Sequence, residues 1–188
     1  MKNKSLNIDE SHTKEVLQKE WGVSSFDDDR YIIATTNIVY CTGLYGHDIN
    51  HTVGFLCHFD LPWSTGSLPC VFNELLKHIP KETKLQCYLV GGWSFLWSTW
   101  TRDNIKNYIC HLNNCGWDIL LEEEPYNNKS LSFPKTRWGK AIQFNVKNGQ
   151  VTEYSRKRIL RKRSNNIFRS ILEITAKNVD GKNCIYIK

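Results

Sequence analysis

Cys41 and His58 are the residues in this chain whose types and spacing best suit nucleophilic chemistry. A thiol attacks as its thiolate, and imidazole is the side chain that takes a proton near neutral pH. The two residues lie in two β-rich runs, residues 30–41 (RYIIATTNIVYC) and 51–59 (HTVGFLCHF). The polar residues Gly46, His47, Asp48, Ile49 and Asn50 between the runs read as a reversal. A symmetric hairpin centred between Ile49 and Asn50 puts Cys41 directly opposite His58, with Cβ atoms about 4.5–5.5 Å apart. The same residue types also admit structural readings, since cysteine is a small hydrophobe and a strand histidine is often a packed ring. A zinc site is a further reading, because Cys41, His47, His51, Cys57 and His58 are all competent ligands, although no Cys-x-x-Cys pair or recognised zinc spacing is present.

The elements that must position this pair follow from periodicity. Phe72, Leu75, Leu76 and Ile79 recur at helical spacing between Pro69 and Pro80 and predict a short amphipathic helix. Residues 84–90 (KLQCYLV) predict a strand running into Gly91 and Gly92, where a tight turn or a close backbone approach is expected. Ile105, Ile109 and Leu112 mark a second helix from about Arg102, stopped near Gly116. Residues 117–121 and 141–146 predict further strands, and a return strand over 150–154 follows the turn at Lys147, Asn148 and Gly149. Strands and helices interleave, which predicts an α/β fold. Residues 14–21 carry a weak helical signal that Gly22 would stop, and residues 1–29 read as an N-terminal extension.

The chain has 188 residues, 40% hydrophobic and 23% charged, enough to bury one core. No apolar run reaches the roughly 18–20 residues of a membrane span, and the N-terminal MKNKSLNIDESHTKEVLQ lacks the apolar region of a secretory signal, so folding in a cytosol is expected. Seven cysteines without framework spacing point to reduced thiols. The net charge of +6 is unevenly placed. Residues 1–150 hold 15 Lys/Arg against 16 Asp/Glu, a net −1, whereas residues 151–188 hold 10 against 3, a net +7. That basic C-terminal segment includes Arg156, Lys157, Arg158, Arg161, Lys162 and Arg163, a predicted helix over 167–176, a turn at Asp180 and Gly181, and a β-like end over 184–187.

Residues 41–62 (CTGLYGHDINHTVGFLCHFDLP) resemble the core of the bacterial chemoreceptor glutamine deamidases (CheD), in which a His follows the Cys at this interval in a Gly-x-x-x-His-x-x-Leu-Pro context. Here the context is Gly54, His58, Leu61 and Pro62. The resemblance continues through Gly91 and Gly92, a helix start at Asn104 and Ile105, residues 139–144 (GKAIQF) and Gly149, and so covers about residues 30–150. It implies a layered α/β sandwich of mixed or antiparallel sheet with flanking helices. It also implies a Cys/His active site, shared with toxin deamidases of the cytotoxic necrotizing factor type, that needs no metal or organic cofactor. It further assigns a role to a Thr six residues before the Cys, which is Thr35. Six residues of straight strand span about 20 Å, so that role requires the chain to bend, and Asn37 is the residue there that best tolerates a left-handed turn. Residues 122–128 (EEEPYNN) depart from the family pattern, so no substrate contacts carry over there.

The expected division is therefore an extension at 1–29, a CheD-like deamidase domain at 30–150 and a basic segment at 151–188. The expected activity is conversion of a substrate protein's accessible Gln to Glu through a Cys41 thioester. It would serve either a chemotaxis enzyme acting inside the bacterium or a toxin-like effector delivered into a host cell. The competing function is a non-enzymatic binding module whose basic tail holds nucleic acid or another anionic partner. Trp93, Trp97 and Trp100 read equally as a partner-docking surface or as core.

Overall fold

The computed structural model describes residues 10–38, 41–92, 96–123, 140–154 and 176–181. In chain order the strands are β1 (Thr13–Val16), β2 (Glu20–Ser25), β3 (Ile32–Ile38), β4 (Thr42–Asp48) and β5 (Val53–Phe59), followed by a 3-10 helix (Pro62–Ser67) and α1 (Leu68–Leu75). The remainder comprises β6 (Lys84–Gly91), α2 (Leu96–Asn114), β7 (Asp118–Glu123), β8 (Lys140–Asn145), β9 (Gln150–Glu153) and β10 (Lys177–Asn178). They form a four-stranded sheet in the order β1-β3-β8-β9 and a six-stranded sheet in the order β10-β2-β5-β4-β6-β7, both mixed. The expected layered α/β architecture is present.

Alternation along the strands sorts the side chains into two cores. Val53, Phe55, Cys57 and Phe59 of β5 join Leu44, Leu85, Leu89 and Trp21 against Phe72 and Leu75 of α1 and Ile105 and Ile109 of α2. The intervening positions face the other sheet, where Leu56, Tyr45 and Val90 meet Ile33, Ile38, Ile142 and Phe144. The layers are thus helices, six-stranded sheet and four-stranded sheet. Fully buried rings such as Phe55, Phe72 and Phe144 each contribute roughly 1.5–3 kcal/mol of burial free energy. Pro69 in the first turn of α1 costs no hydrogen bond there, and Gly116, with φ +91°, ends α2 as expected.

Several expectations are corrected. Residues 14–21 are not helical. All four residues of β1 are buried, β2 follows, and Gly22 lies inside β2, so sheet pairing overrides a weak local helical signal. The expected extension over 1–29 therefore supplies an edge strand to one sheet and an inner strand to the other. The expected boundary at 150 also falls within structure. β9 pairs with β8, Tyr154 is buried, and β10 pairs in parallel with β2. Lys14 and Arg30 both bind the carboxylate of Asp180, at 2.8 Å each, tying the two ends of the chain together. Cys70 is disulfide-bonded, which corrects the expectation of reduced thiols at that residue; Cys41, Cys57, Cys87, Cys110 and Cys115 are free. The basic run at 156–163, the expected helix at 167–176 up to residue 175, and the β-like end at 184–187 lie outside the described residues. No helix among the described residues is long and apolar enough to cross a membrane.

The turn between β4 and β5 is built by Asp48. Its carboxylate accepts the backbone N–H groups of Asn50, Thr52 and Val53 and the Thr52 hydroxyl. Beside it, His47 stacks on His51 and Phe144 at centroid distances of 4.5 and 5.4 Å. Burial lowers the His47 pKa, and the neighbouring His51 adds to this, against the opposing Asp48 carbonyl and carboxylate. Below pH 6.5 the unfolded chain binds a proton that folded His47 resists, so stability should fall with pH from there down to the folded pKa. Thermal melts from pH 7.5 to 5.5 should therefore fall less steeply for His47→Phe than for the wild type. Equal slopes would contradict this.

Candidate active site

His58 lies near the C-terminal end of β5, an inner strand, and its alternation faces the four-stranded sheet. Thr35 is on β3, an inner strand of that opposite sheet. The two meet across the sandwich. Thr35 Oγ1 and His58 Nδ1 are 2.8 Å apart, with Thr35 fully buried and His58 1% exposed. The expected separation of about 20 Å assumed one continuous strand over residues 30–41. The chain instead changes sheets between Ile38 and Thr42, so Thr35 reaches the imidazole from the facing layer. The β3/β8 register shifts between Thr35 and Ile38.

The β4/β5 register corrects the expected opposition of Cys41 and His58. Gly43 pairs with His58 and Thr42 with Phe59, so the hairpin is centred between Asn50 and His51, one residue beyond the expected point. The physical reason is Asp48, which gathers the N–H groups of residues 50, 52 and 53 and so sets where the reversal falls. A shift of the centre by one residue moves the cross-strand partner by two and leaves the face unchanged. Cys41 lies one residue before β4; were the alternation of β4 continued back from Gly43, Cys41 would share the face of His58 as a diagonal neighbour, about 7–8 Å away by ordinary sheet spacing. Gly43 presents no side chain between them. Cys41 is partly exposed and His58 is buried, so a substrate group can approach the sulfur from outside.

Two residues with no site signal in the sequence also border the pair. Glu20, in the segment read as an extension, is the cross-strand partner of His58 on β2, and its carboxylate accepts the Leu17 N–H at 2.9 Å. Arg102 on α2 donates to Gly91 O at 2.7 Å beside Cys41. The expected close approach at Gly91 and Gly92 is present, with Gly92 N–H donating to Cys41 O at 2.8 Å.

The zinc reading does not match the geometry. Cys57 faces the helices, and His47 and His51 stack at the opposite end of β4 from Cys41. Among the described residues no three His, Cys, Asp or Glu side chains gather for a metal. Burial, with Cys87 nearby, raises the Cys57 pKa, and burial raises that of Cys87, which holds both as neutral thiols. Trp97 and Trp100 are exposed and join Trp63 in edge-to-face contacts at 5.7 and 5.5 Å, on elements that follow the Cys41 and His58 end of the six-stranded sheet. Trp93 lies outside the described residues.

No protein-family model matches the chain, and no curated protein matches it either.

Proposed function

We propose that the protein is a CheD-like protein-glutamine deamidase that uses Cys41 as nucleophile, His58 as acid and base, and Thr35 to orient His58. The observation that carries this reading is the buried 2.8 Å contact between Thr35 Oγ1 and His58 Nδ1. With Nδ1 engaged by Thr35, proton exchange with Cys41 falls to Nε2.

The thiol proton passes to His58, and the thiolate attacks the side-chain carbonyl carbon of glutamine. The carbonyl π electrons move to oxygen, giving a tetrahedral oxyanion that backbone N–H groups near Cys41 would stabilise. Collapse breaks the C–N bond, and protonated His58 gives its proton to the departing ammonia. Neutral His58 then takes a proton from water as the hydroxyl adds to the thioester, and collapse of that adduct returns the Cys41 thiolate. The sum is Gln plus water to Glu plus ammonia.

The substrate is a protein presenting an accessible Gln. Exposed Trp97 and Trp100 suit protein docking better than core packing.

The test is ammonia release, with the matching mass change of Gln to Glu, across a panel of glutamine peptides. Thr35→Val keeps the shape but removes the hydroxyl that bonds Nδ1. It should lower kcat by roughly 10- to 100-fold at unchanged KM, and Thr35→Ser should restore most of the rate. A Thr35→Val enzyme with wild-type kcat would remove Thr35 from the mechanism.

A further inference from the structure

The peptide unit between Gly91 and Gly92 links a half-buried cation to the backbone of Cys41. Its carbonyl oxygen accepts the Arg102 Nη1–H at 2.7 Å, and its N–H donates to the Cys41 carbonyl oxygen at 2.8 Å. Arg102 is itself held, with a side chain 16% exposed and Nη2 bonded to the Glu123 carboxylate at the end of β7. Both glycines take left-handed φ, +75° and +73°. A Cβ at Gly91 would collide with Ile38 and stand 2.7 Å from the Cys41 carbonyl oxygen, and one at Gly92 would stand 2.8 Å from Thr42 Oγ1. Only a glycine pair lets this peptide lie between Arg102 and Cys41.

We propose that Arg102 is a positioning residue for Cys41, acting through the peptide between Gly91 and Gly92. The inference rests on the deamidase reading and adds to it the group that sets the nucleophile. Arginine stays cationic, and its bond to a carbonyl is charge-assisted, about twice the strength of a neutral one. That bond polarises the peptide plane and strengthens the N–H on its other side, as hydrogen bonds in series do. The Cys41 backbone is thereby pinned just before β4. Electron density is drawn from the Cys41 carbonyl, which favours a negative charge on the sulfur of the same residue. Glutamine at 102 could donate a hydrogen bond but carries no charge. Lysine keeps the charge and loses the planar fork that spans Gly91 and Glu123.

The test is the pH dependence of iodoacetamide alkylation of Cys41 in the full chain, with the free, exposed Cys110 and Cys115 as references in the same digest. In the wild type the Cys41 profile should rise at lower pH than theirs. Arg102→Gln should move it upward and slow Cys41 alkylation at pH 7 by about tenfold, one unit of thiol pKa, without altering the references. Arg102→Lys should recover part of the loss. Glu123→Gln frees the guanidinium at a half-exposed strand end and should give a smaller change in the same direction, which keeps the test available should Arg102→Gln not fold. A wild-type Cys41 profile in folded Arg102→Gln, or in Glu123→Gln where the former does not fold, overturns the inference. A wild-type protein in which Cys41 reacts no faster than Cys110 and Cys115 overturns the deamidase reading itself.

Discussion

Cys41→Ser should abolish ammonia release from glutamine peptides, lowering turnover by about four orders of magnitude or more, while circular dichroism and melting temperature stay at wild-type values. Serine is nearly isosteric, but its hydroxyl ionises far less readily than a thiol, and removing a covalent nucleophile stops the reaction at its first step. The change should be mild structurally because Cys41 is partly exposed at a strand end and lies outside both main cores. Serine at Cys57 or Cys87 should behave oppositely. Both are fully buried, so a hydroxyl there costs stability and leaves the chemistry intact. Retained turnover in Cys41→Ser would exclude thiolate catalysis.

His58→Gln should lower kcat by about 10²- to 10⁴-fold, the usual contribution of a positioned general acid and base. Glutamine can still bond Thr35 but cannot exchange a proton at neutral pH. His58→Ala should be equally inactive and less stable, because it leaves Thr35 Oγ1 buried without its 2.8 Å partner, at a cost of about 1–3 kcal/mol. Comparing the two variants separates the chemical role from the packing role. Activity in His58→Gln within a few-fold of wild type would contradict the assignment of acid and base to His58.

Much of the scaffold could be read from local pattern. The β-rich runs over 51–59 and 84–90 and the helical spacing of Ile105, Ile109 and Leu112 correspond to β5, β6 and α2. The β4/β5 register was not legible, because it depends on which N–H groups the Asp48 carboxylate collects. The contact between Thr35 and His58 joins two sheets, and no local periodicity reports how sheets stack. β1 and β2 were missed because residues 13–25 contain charged Lys14, Glu15, Lys19 and Glu20, which suggest solvent exposure. In the fold Lys14 is buried against Asp180 and the Val23 carbonyl, and Glu15 reaches Tyr154. Those partners come mainly from the far end of the chain, so the burial of these charges is a tertiary property.

The central claim is that Cys41 is an activated nucleophile, and limited alkylation followed by mass-spectrometric mapping tests it without knowledge of the substrate. Cys57 and Cys87 are buried and held neutral, and Cys70 is disulfide-bonded, so among the described residues Cys110 and Cys115 are the competing thiols. At neutral pH with limiting iodoacetamide, Cys41 should be labelled first, and its advantage should vanish in His58→Gln. Labelling of Cys110 or Cys115 with Cys41 untouched would contradict the account.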